Sequence, residues 1–399
     1  MNVSGRLAEE KRKYVIVLLA LVWAFNASFV YHGAIHFLLD VAVVMCLIDM
    51  FGAIKLDVTD LFLFLGVGFF FYNQDKDMAN ACITAGTVWL EYLVGKKISR
   101  EIFMDNRRII PIAIGIVCVT SYIKGVLSYS WIYINSSIYF NSPAGTFPMW
   151  GTEMILPRTQ HEYFLIMMAV SLVFWVIYLK ENKLSIVGLL LSVMAVGISL
   201  YGLGRMSTCA MVVSFVMVVV LYVFENKYKI SIKKSIKTIS MSLIAFLILL
   251  LDKGRVYGLV TLRDWGEDGG ILNNIRFKLW QEGLKLMMQH PLGSSDILLE
   301  PYEGRVEGYA HNTWIDIGRT GGVIPFVLMV IFTVIVCIRL VQIWKKEKCV
   351  EKYALIAVFI GMTLYCMFEP VLNANPYFFC GEVFLSGMVM GGYNAVRKR

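Results

Sequence analysis

Three residues of the 399-residue chain have the types and settings that phosphate and proton-transfer chemistry needs: Arg205, Arg276 and His311. Arg205 lies in Leu203-Gly204-Arg205-Met206-Ser207, between two apolar stretches. A charge at or near a membrane interior is expensive and is a functional signal by default, and the flanking Gly202 and Gly204 allow close approach of backbone or ligand. Arg276 opens an amphipathic run in Asn274-Ile-Arg276-Phe-Lys278-Leu-Trp280, with Arg263 and Lys278 as nearby cationic alternatives. A guanidinium keeps its charge and presents a fork of donors that matches phosphate oxygens, so two or three converging arginines neutralise a diphosphate without a metal. His311 stands in Tyr309-Ala-His311-Asn312-Thr-Trp314 and is one of five histidines, with His32, His36, His161 and His290. A neutral imidazole near pH 7 accepts a proton from a hydroxyl. Other chemistries lack their signatures. There is no HExxH and no zinc set of Cys and His, no Walker A sequence and no GxSxG elbow. The nearest approach to a metal-holding acidic pair is Glu267-Asp268, which reads as a solvated turn before Gly269-Gly270.

The elements that must position these residues are membrane helices. The chain is 58% hydrophobic and only 17% charged, with a mean hydropathy of +0.66. Soluble domains run at about 45–50% apolar and about 25% charged, so an ordinary cytosolic enzyme, a disordered chain and a small disulfide scaffold are excluded. A spanning helix needs about 20 apolar residues. Apolar stretches at 14–30, 34–54, 58–72, 78–95, 109–127, 161–179, 184–202, 207–224, 238–251, 321–343, 353–372 and 378–392 predict about twelve transmembrane helices in a single all-α polytopic membrane domain, residues 1–399. The first has a basic start but a long apolar run and a poor cleavage sequence, Phe25-Asn26-Ala27, and is read as a span rather than a signal peptide. With the N-terminus inside, alternate connections hold 24 of the 37 Lys and Arg residues. That asymmetry places both termini in the cytoplasm and accounts for the net charge of +8 without nucleic acid. The eight cysteines form no CxxC pair and sit almost entirely in spans, where they read as small packing residues.

Two connections are long, and both face outward: 128–160, which contains Arg158 as a phosphate or glycan contact, and 252–320, which has 8 basic and 10 acidic residues. Loops of this length are functional or disordered. Within the second, Ile275, Leu279, Leu284, Met287 and Met288 are spaced among polar residues from Asn274 to Gln289, and Pro291 and Gly293 end the run. This predicts an extracytoplasmic helix lying against the bundle. Trp280 on it anchors the helix or packs on a sugar face. Chemistry on this side of a membrane has no ATP or nucleotide-sugar, so it needs an activated donor delivered another way, such as a lipid-linked pyrophosphate.

These pieces together resemble the O-antigen ligase and polymerase superfamily of bacterial envelope polysaccharide enzymes. Gly204-Arg205 before an apolar span, Arg276 with Trp280 and Pro291-Leu-Gly293, His311-Asn312 with Gly322 beyond, and a long external loop ahead of the final spans are similar to that family's pattern. The chain departs from it at Ser294-Ser295, where the family often has a second glycine, and near Pro325. The resemblance implies a helical bundle like that of GT-C glycosyltransferases in the bacterial cytoplasmic membrane. It implies glycosyl transfer on the outer face from undecaprenyl pyrophosphate, with no metal and no cofactor. Arg205 and Arg276 would bind pyrophosphate and His311 would serve the acceptor hydroxyl. Asn312 would hold the histidine or the sugar, and Trp280, Arg158 and Lys278 would touch substrate. A polymerase extends a lipid-linked repeat unit, as in O-antigen, capsule or exopolysaccharide synthesis; a ligase delivers the glycan to a terminal acceptor. Partners implied are the lipid-linked oligosaccharide, membrane lipid, a flippase and chain-length regulators. A flippase is the competing reading from another class, and its expected internal pseudo-symmetry is not evident.

Overall fold

The computed structural model describes residues 33–74, 77–105, 144–149, 152–157, 275–302, 305–347, 351–369 and 376–397, with isolated positions between 12 and 16, between 213 and 225, and at 372. Eight helices and two hairpins fall within them. The helices are α1 (Gly33–Phe51), α2 (Val58–Gln74), α3 (Met78–Asp105), α4 (Ile275–Gln289), α5 (Thr313–Gly321), α6 (Val323–Lys346), α7 (Glu351–Phe368) and α8 (Pro376–Arg397). Strands β1 (Ala144–Met149) and β2 (Thr152–Pro157) pair antiparallel, as do β3 (Leu299–Tyr302) and β4 (Arg305–Glu307). Six of the twelve spans expected from hydropathy coincide with α1, α2, α3, α6, α7 and α8. The other six lie wholly or largely outside the described residues. Ala34–Phe51 and Val323–Lys346 are long and apolar enough to cross a membrane, with mean hydropathies of 2.1 and 2.8, and Val58–Gln74 and Leu355–Phe368 are shorter apolar helices. The all-α expectation holds for the helical layer. The two long loops, 128–160 and 252–320, additionally contain the short hairpins, which an all-α expectation does not include.

The chain divides into two compact units. One comprises residues 1–114, 264–355 and 366–399, and the other 115–263 and 356–365. The first unit is built on close helix packing. On α8, Gly387 and Gly391 are four residues apart, and a Cβ at either would run into the α3 backbone at Tyr92 and Lys96; a Cβ at Gly95 on α3 would meet the Phe384 carbonyl. This is the small-xxx-small arrangement that lets spanning helices approach backbone to backbone. The start of α2 is fixed by a reciprocal cap: Asp57 Oδ1 accepts from Thr59 N at 2.9 Å, and Asp60 Oδ2 accepts from Asp57 N at 2.6 Å. That geometry satisfies orphan donors at the helix start. Lys96 of α3 then donates to both oxygens of buried Asp60 at 2.6 and 2.7 Å, and Tyr92 donates to the same carboxylate at 2.5 Å. Lys55, Lys96, Lys97, Arg100 and Arg397 line one cavity at this end, the end that the charge count assigns to the cytoplasm.

The loop motif glycines have a structural reason. Gly293 (φ +90°) and Gly322 (φ +100°) sit face to face: a Cβ on Gly322 would lie 2.6 Å from the Pro291 carbonyl, and one on Gly293 would strike the Thr320 carbonyl. Val323 N donates to Pro291 O and Ser294 N to Arg319 O, each at 2.9 Å. Asn73 at the end of α2 clasps both turns, donating to Leu292 O at 2.9 Å and Gly321 O at 2.8 Å. Left-handed backbone costs an L-residue about 1–2 kcal/mol. Gly293→Ala and Gly322→Ala are therefore each expected to lower the unfolding temperature of detergent-purified protein, whereas Gly308→Ala, where a Cβ meets nothing within 4 Å, leaves it unchanged. Equal melting of all three variants would contradict the clasp.

Candidate functional site

The site is assembled in the first unit, where the end of α7 meets the start of α4 and the turn before α5. Glu369 follows the last residue of α7 and is only 2% exposed. A buried carboxylate needs a cation or several donors, and two of the residues singled out in the sequence supply the environment. Arg276 Nη2 donates to Glu369 Oε1 at 2.8 Å. His311 Nδ1 faces Glu369 Oε2 at 3.5 Å, and neither of these two atoms has a hydrogen-bond partner. Both partners reach outward from the buried acid: the Arg276 side chain is 31% and that of His311 28% exposed. Thr313 Oγ1 donates to the Glu369 carbonyl at 3.1 Å, which fixes the α7 end against α5.

His311 has φ +53° and is the one non-glycine with positive φ among the described residues. Histidine visits this region more readily than most side chains, but holding it there requires support from its surroundings. Support comes from α5. Asp316, fully buried, accepts from Ala310 N at 2.8 Å and Asn312 N at 3.4 Å. Arg319 lies 3.7 Å from the same carboxylate and donates to Ile297 O at 2.8 Å and Gly308 O at 2.7 Å, so both sides of the β3–β4 hairpin are tied to α5. Burial pushes the Asp316 carboxyl up to about 6, against the opposing pull of the Ala310 N–H, Arg319, the Asn312 N–H and His311. Asn312 is 7% exposed and serves as the α5 N-cap: its Oδ1 accepts from Trp314 N and Ile315 N, both at 3.1 Å. It positions its neighbour His311 through the cap.

Helix α4 presents Leu279, Gly283 and Met287 inward, one residue per turn. Gly283 is the surprise among them. It had no weight in the hydrophobic pattern, yet a Cβ there would lie 2.6 Å from Ile315 and 3.3 Å from Ala310. Leu284 and Met288, expected on the apolar face, are 39% and 73% exposed. The Trp280 ring lies tilted at 5.4 Å from Phe368 and edge-on at 5.2 Å from Phe277, and packs against the core of Leu279, Leu299, Ala310 and Ile315. Lys278 is half-buried on the same helix. Arg205, Arg158 and Arg263 lie outside the described residues.

A family model described as O-Antigen ligase matches residues 168–330. Over that stretch the chain resembles the O-antigen ligase and polymerase superfamily. The ligase-family stretch contains α4, the His311 turn, α5 and the Gly322 hinge, and in sequence Arg205. Glu369 lies beyond it, as do α1, α2, α3 and α8. A search of curated proteins finds no match to the chain. By its apolar helices and composition the chain is a membrane protein. Glu369 was missed in the sequence because it sits inside an expected span, 353–372, with no motif around it. An acidic residue within a spanning stretch is itself the signal that could have found it.

Two outcomes follow from the support of His311. Asn312→Ala removes the cap and is expected to cost about 0.5–2 kcal/mol, read as a lower unfolding temperature with faster amide exchange in the His311 turn. Because the folded Asp316 carboxyl is raised from 3.8 to about 6, its contribution to stability is fully present below 3.8 and is lost as pH rises through about 6. Asp316→Asn should flatten that part of the stability–pH curve; an unchanged slope would show that Asp316 does not titrate there.

Proposed function

We propose that the chain is a glycosyltransferase working on the extracytoplasmic face of the bacterial cytoplasmic membrane. It transfers a growing glycan from undecaprenyl pyrophosphate to a lipid-linked repeat unit and so acts as a polysaccharide polymerase. The observation that carries the reading is the convergence of Arg276 and His311, each partly exposed, on the two oxygens of buried Glu369.

In the reaction, the acceptor hydroxyl oxygen forms a bond to the anomeric carbon of the donor. The bond from that carbon to the pyrophosphate oxygen breaks, and its electron pair leaves with the pyrophosphate. The acceptor proton passes to His311. Glu369 facing Nδ1 favours the tautomer with its proton on Nδ1, which leaves the Nε2 lone pair for the hydroxyl, the logic of an acid orienting a histidine base. Arg276 stabilises the charge that develops on the departing oxygen; removing one preorganised donor of this kind commonly costs about 10²–10³ in rate. Glu369 is the positioning residue for both. Arg205 is assigned a share in pyrophosphate binding on its sequence setting, and Lys278 and Arg158 lesser contacts. The step needs no metal or cofactor, because arginines supply the positive charge.

The family description, O-antigen ligase, favours a second reading, a ligase that hands the glycan to a terminal acceptor. The motifs serve either. The two separate on product: a polymerase yields a ladder on lipid pyrophosphate, and a ligase yields a single transfer to the acceptor. A flippase would move lipid-linked glycan between compartments and leave its length unchanged.

The test is elongation of lipid-linked oligosaccharide by purified protein in detergent, with no second compartment. His311→Ala and Arg276→Ala should each cut the rate by about 10²–10³. Glu369→Gln should lower kcat by a comparable factor with little change in KM, since it disorders the reacting groups and touches no substrate. Arg205→Ala should raise KM for the donor and slow turnover. Ladders of wild-type length and rate from correctly inserted His311→Ala and Arg276→Ala proteins would refute the assignment.

A further inference from the structure

The basic cavity of the first unit shares no residue with the site above. Its walls are the α1–α2 connection, the second half of α3 and the last turns of α8, and it encloses about 340 Å³. Two of its cations are already committed. Lys96 pairs with Asp57 at 3.0 Å and with buried Asp60 at 2.6 Å, and Lys97 donates to the Phe51 carbonyl at 2.7 Å, which closes the end of α1. Lys55, Arg100 and Arg397 complete the basic lining, and none of the three is paired with an acid among the described residues. Lys55 and Arg397 are exposed and Arg100 is half-buried. Five cations against the carboxylates of Asp57 and Asp60 leave a formal charge of +3.

Positive charge gathered in a concave site attracts anions, because low-dielectric walls focus the field inside it. The cavity is preformed: Gly391 of α8 packs directly on the Lys96 carbonyl of α3, and a Cβ there would strike the oxygen. Its volume is at the small end of the range for ligand sites, about 300–1,000 Å³. The donor set suits phosphate. Guanidinium forks match phosphate oxygens, the lysine ammonium adds a point charge, and the Asn394 amide adds a neutral donor. The level of the cavity is also defined. Lys55 comes four residues after Phe51, the last residue of an apolar helix long enough to cross a membrane. Leu56, 59% exposed, adds an apolar wall beside the cations. Basic pockets next to spanning helices are where anionic headgroups bind.

We propose that this cavity binds a phosphate-bearing anion, with Lys55, Arg100 and Arg397 as its cationic contacts and Asn394 as a neutral donor. Lys96 and Lys97 hold the walls in place through the bonds they already make. Two sources present this chemistry at a membrane surface: the headgroup of an anionic phospholipid, and phosphate or pyrophosphate in solution. A bound anion joins the α1–α2 connection to α3 and α8, so its binding stabilises the folded chain. The proposal stands apart from glycosyl transfer, since the cavity contains none of Arg276, His311 and Glu369.

The experiment uses full-length protein purified in a neutral detergent. It is titrated with phosphatidylglycerol, with zwitterionic phosphatidylcholine as the reference lipid, and separately with inorganic pyrophosphate. The unfolding temperature is followed against ligand concentration. A rise with phosphatidylglycerol alone assigns the site to a lipid headgroup, and a rise with pyrophosphate assigns it to the free phosphate group. Lys55→Gln, Arg100→Gln and Arg397→Gln should each weaken apparent binding by about 5-fold, and the triple variant by about 100-fold. Lys345→Gln combined with Lys346→Gln, which removes two exposed cations in the last turn of α6 outside the cavity, should leave binding unchanged. Wild type that responds to phosphatidylglycerol no more than to phosphatidylcholine, and not to pyrophosphate, overturns the site. A loss in the α6 variant equal to that in the triple variant also overturns it, because the attraction is then diffuse surface charge. The wild-type titrations need no substitution, so a variant that fails to fold does not spare the proposal.

Discussion

A carboxylate buried at the end of an apolar helix has to find positive charge or donors, and in this protein that requirement organises the long loop before α6. Glu369 ends α7 at 2% exposure. Leaving it unpaired would be costly, and breaking a buried pair by removing one partner typically costs about 3–5 kcal/mol. Its needs are met by Arg276 at 2.8 Å and by the facing His311 at 3.5 Å. Those two residues come from different parts of a loop about seventy residues long. The acid therefore draws a helix and a turn, distant in sequence from α7, to one point. Any chemistry done by Arg276 or His311 inherits its geometry from this one buried charge.

The acid alone would not hold a histidine at φ +53°. That conformation is over-determined from the other side. Asp316 holds the backbone of residues 310 and 312, Arg319 ties the hairpin to α5, and Asn312 caps the helix that bears them. Behind them, Gly293 and Gly322 allow two turns to touch backbone to backbone, and Asn73 joins them to α2. Placing a reacting group on a turn backed by buried polar bonds and rigid helices is how a site keeps its geometry. The same requirement, that charge in an apolar layer be answered locally, recurs at Asp60 with Lys96 and Tyr92, and at His36, Asp40 and Glu91.

Residue type and spacing made part of this legible. Arg276, His311 and the glycines after Pro291 and at 322 stood out because their chemistry or backbone freedom is local. The helices at α1, α2, α3, α6, α7 and α8 stood out because apolar length is a one-dimensional property. Asn312 was noticed for its adjacency to the histidine, and its role as a cap emerged only with α5 in place. Glu369, Glu91 and Asp40 were hidden because a lone acid carries no motif, and its meaning depends on which helix faces it. Gly283 was hidden because hydrophobic patterning ignores a residue whose function is to have no side chain. The β3–β4 hairpin depends on Arg319, which bonds to both of its sides from across the turn, and no strand pattern announces that.

The pairing of Arg276 with Glu369 bears on what the arginine can do. A guanidinium has five donors in a planar fork, and Nη2 donates to Glu369 at 2.8 Å, with about a third of the side chain, 31%, still exposed. The acid thus fixes the plane of the fork and leaves part of it facing outward. An anionic leaving group arriving there is attracted by the arginine and repelled by Glu369 behind it. The repulsion is the greater the less of Glu369's charge is matched. A histidine that has taken a proton from the acceptor adds a positive charge 3.5 Å from Glu369 at the moment the leaving group becomes more negative. On the proposed reading, the carboxylate is therefore best compensated late in the reaction, when proton transfer has made His311 cationic. Arg276 is then released from part of its duty to Glu369 and turned toward the pyrophosphate. A site that binds its charges more completely in the transition state than in the ground state is the arrangement that speeds chemistry, and here it follows from one acid shared by two bases.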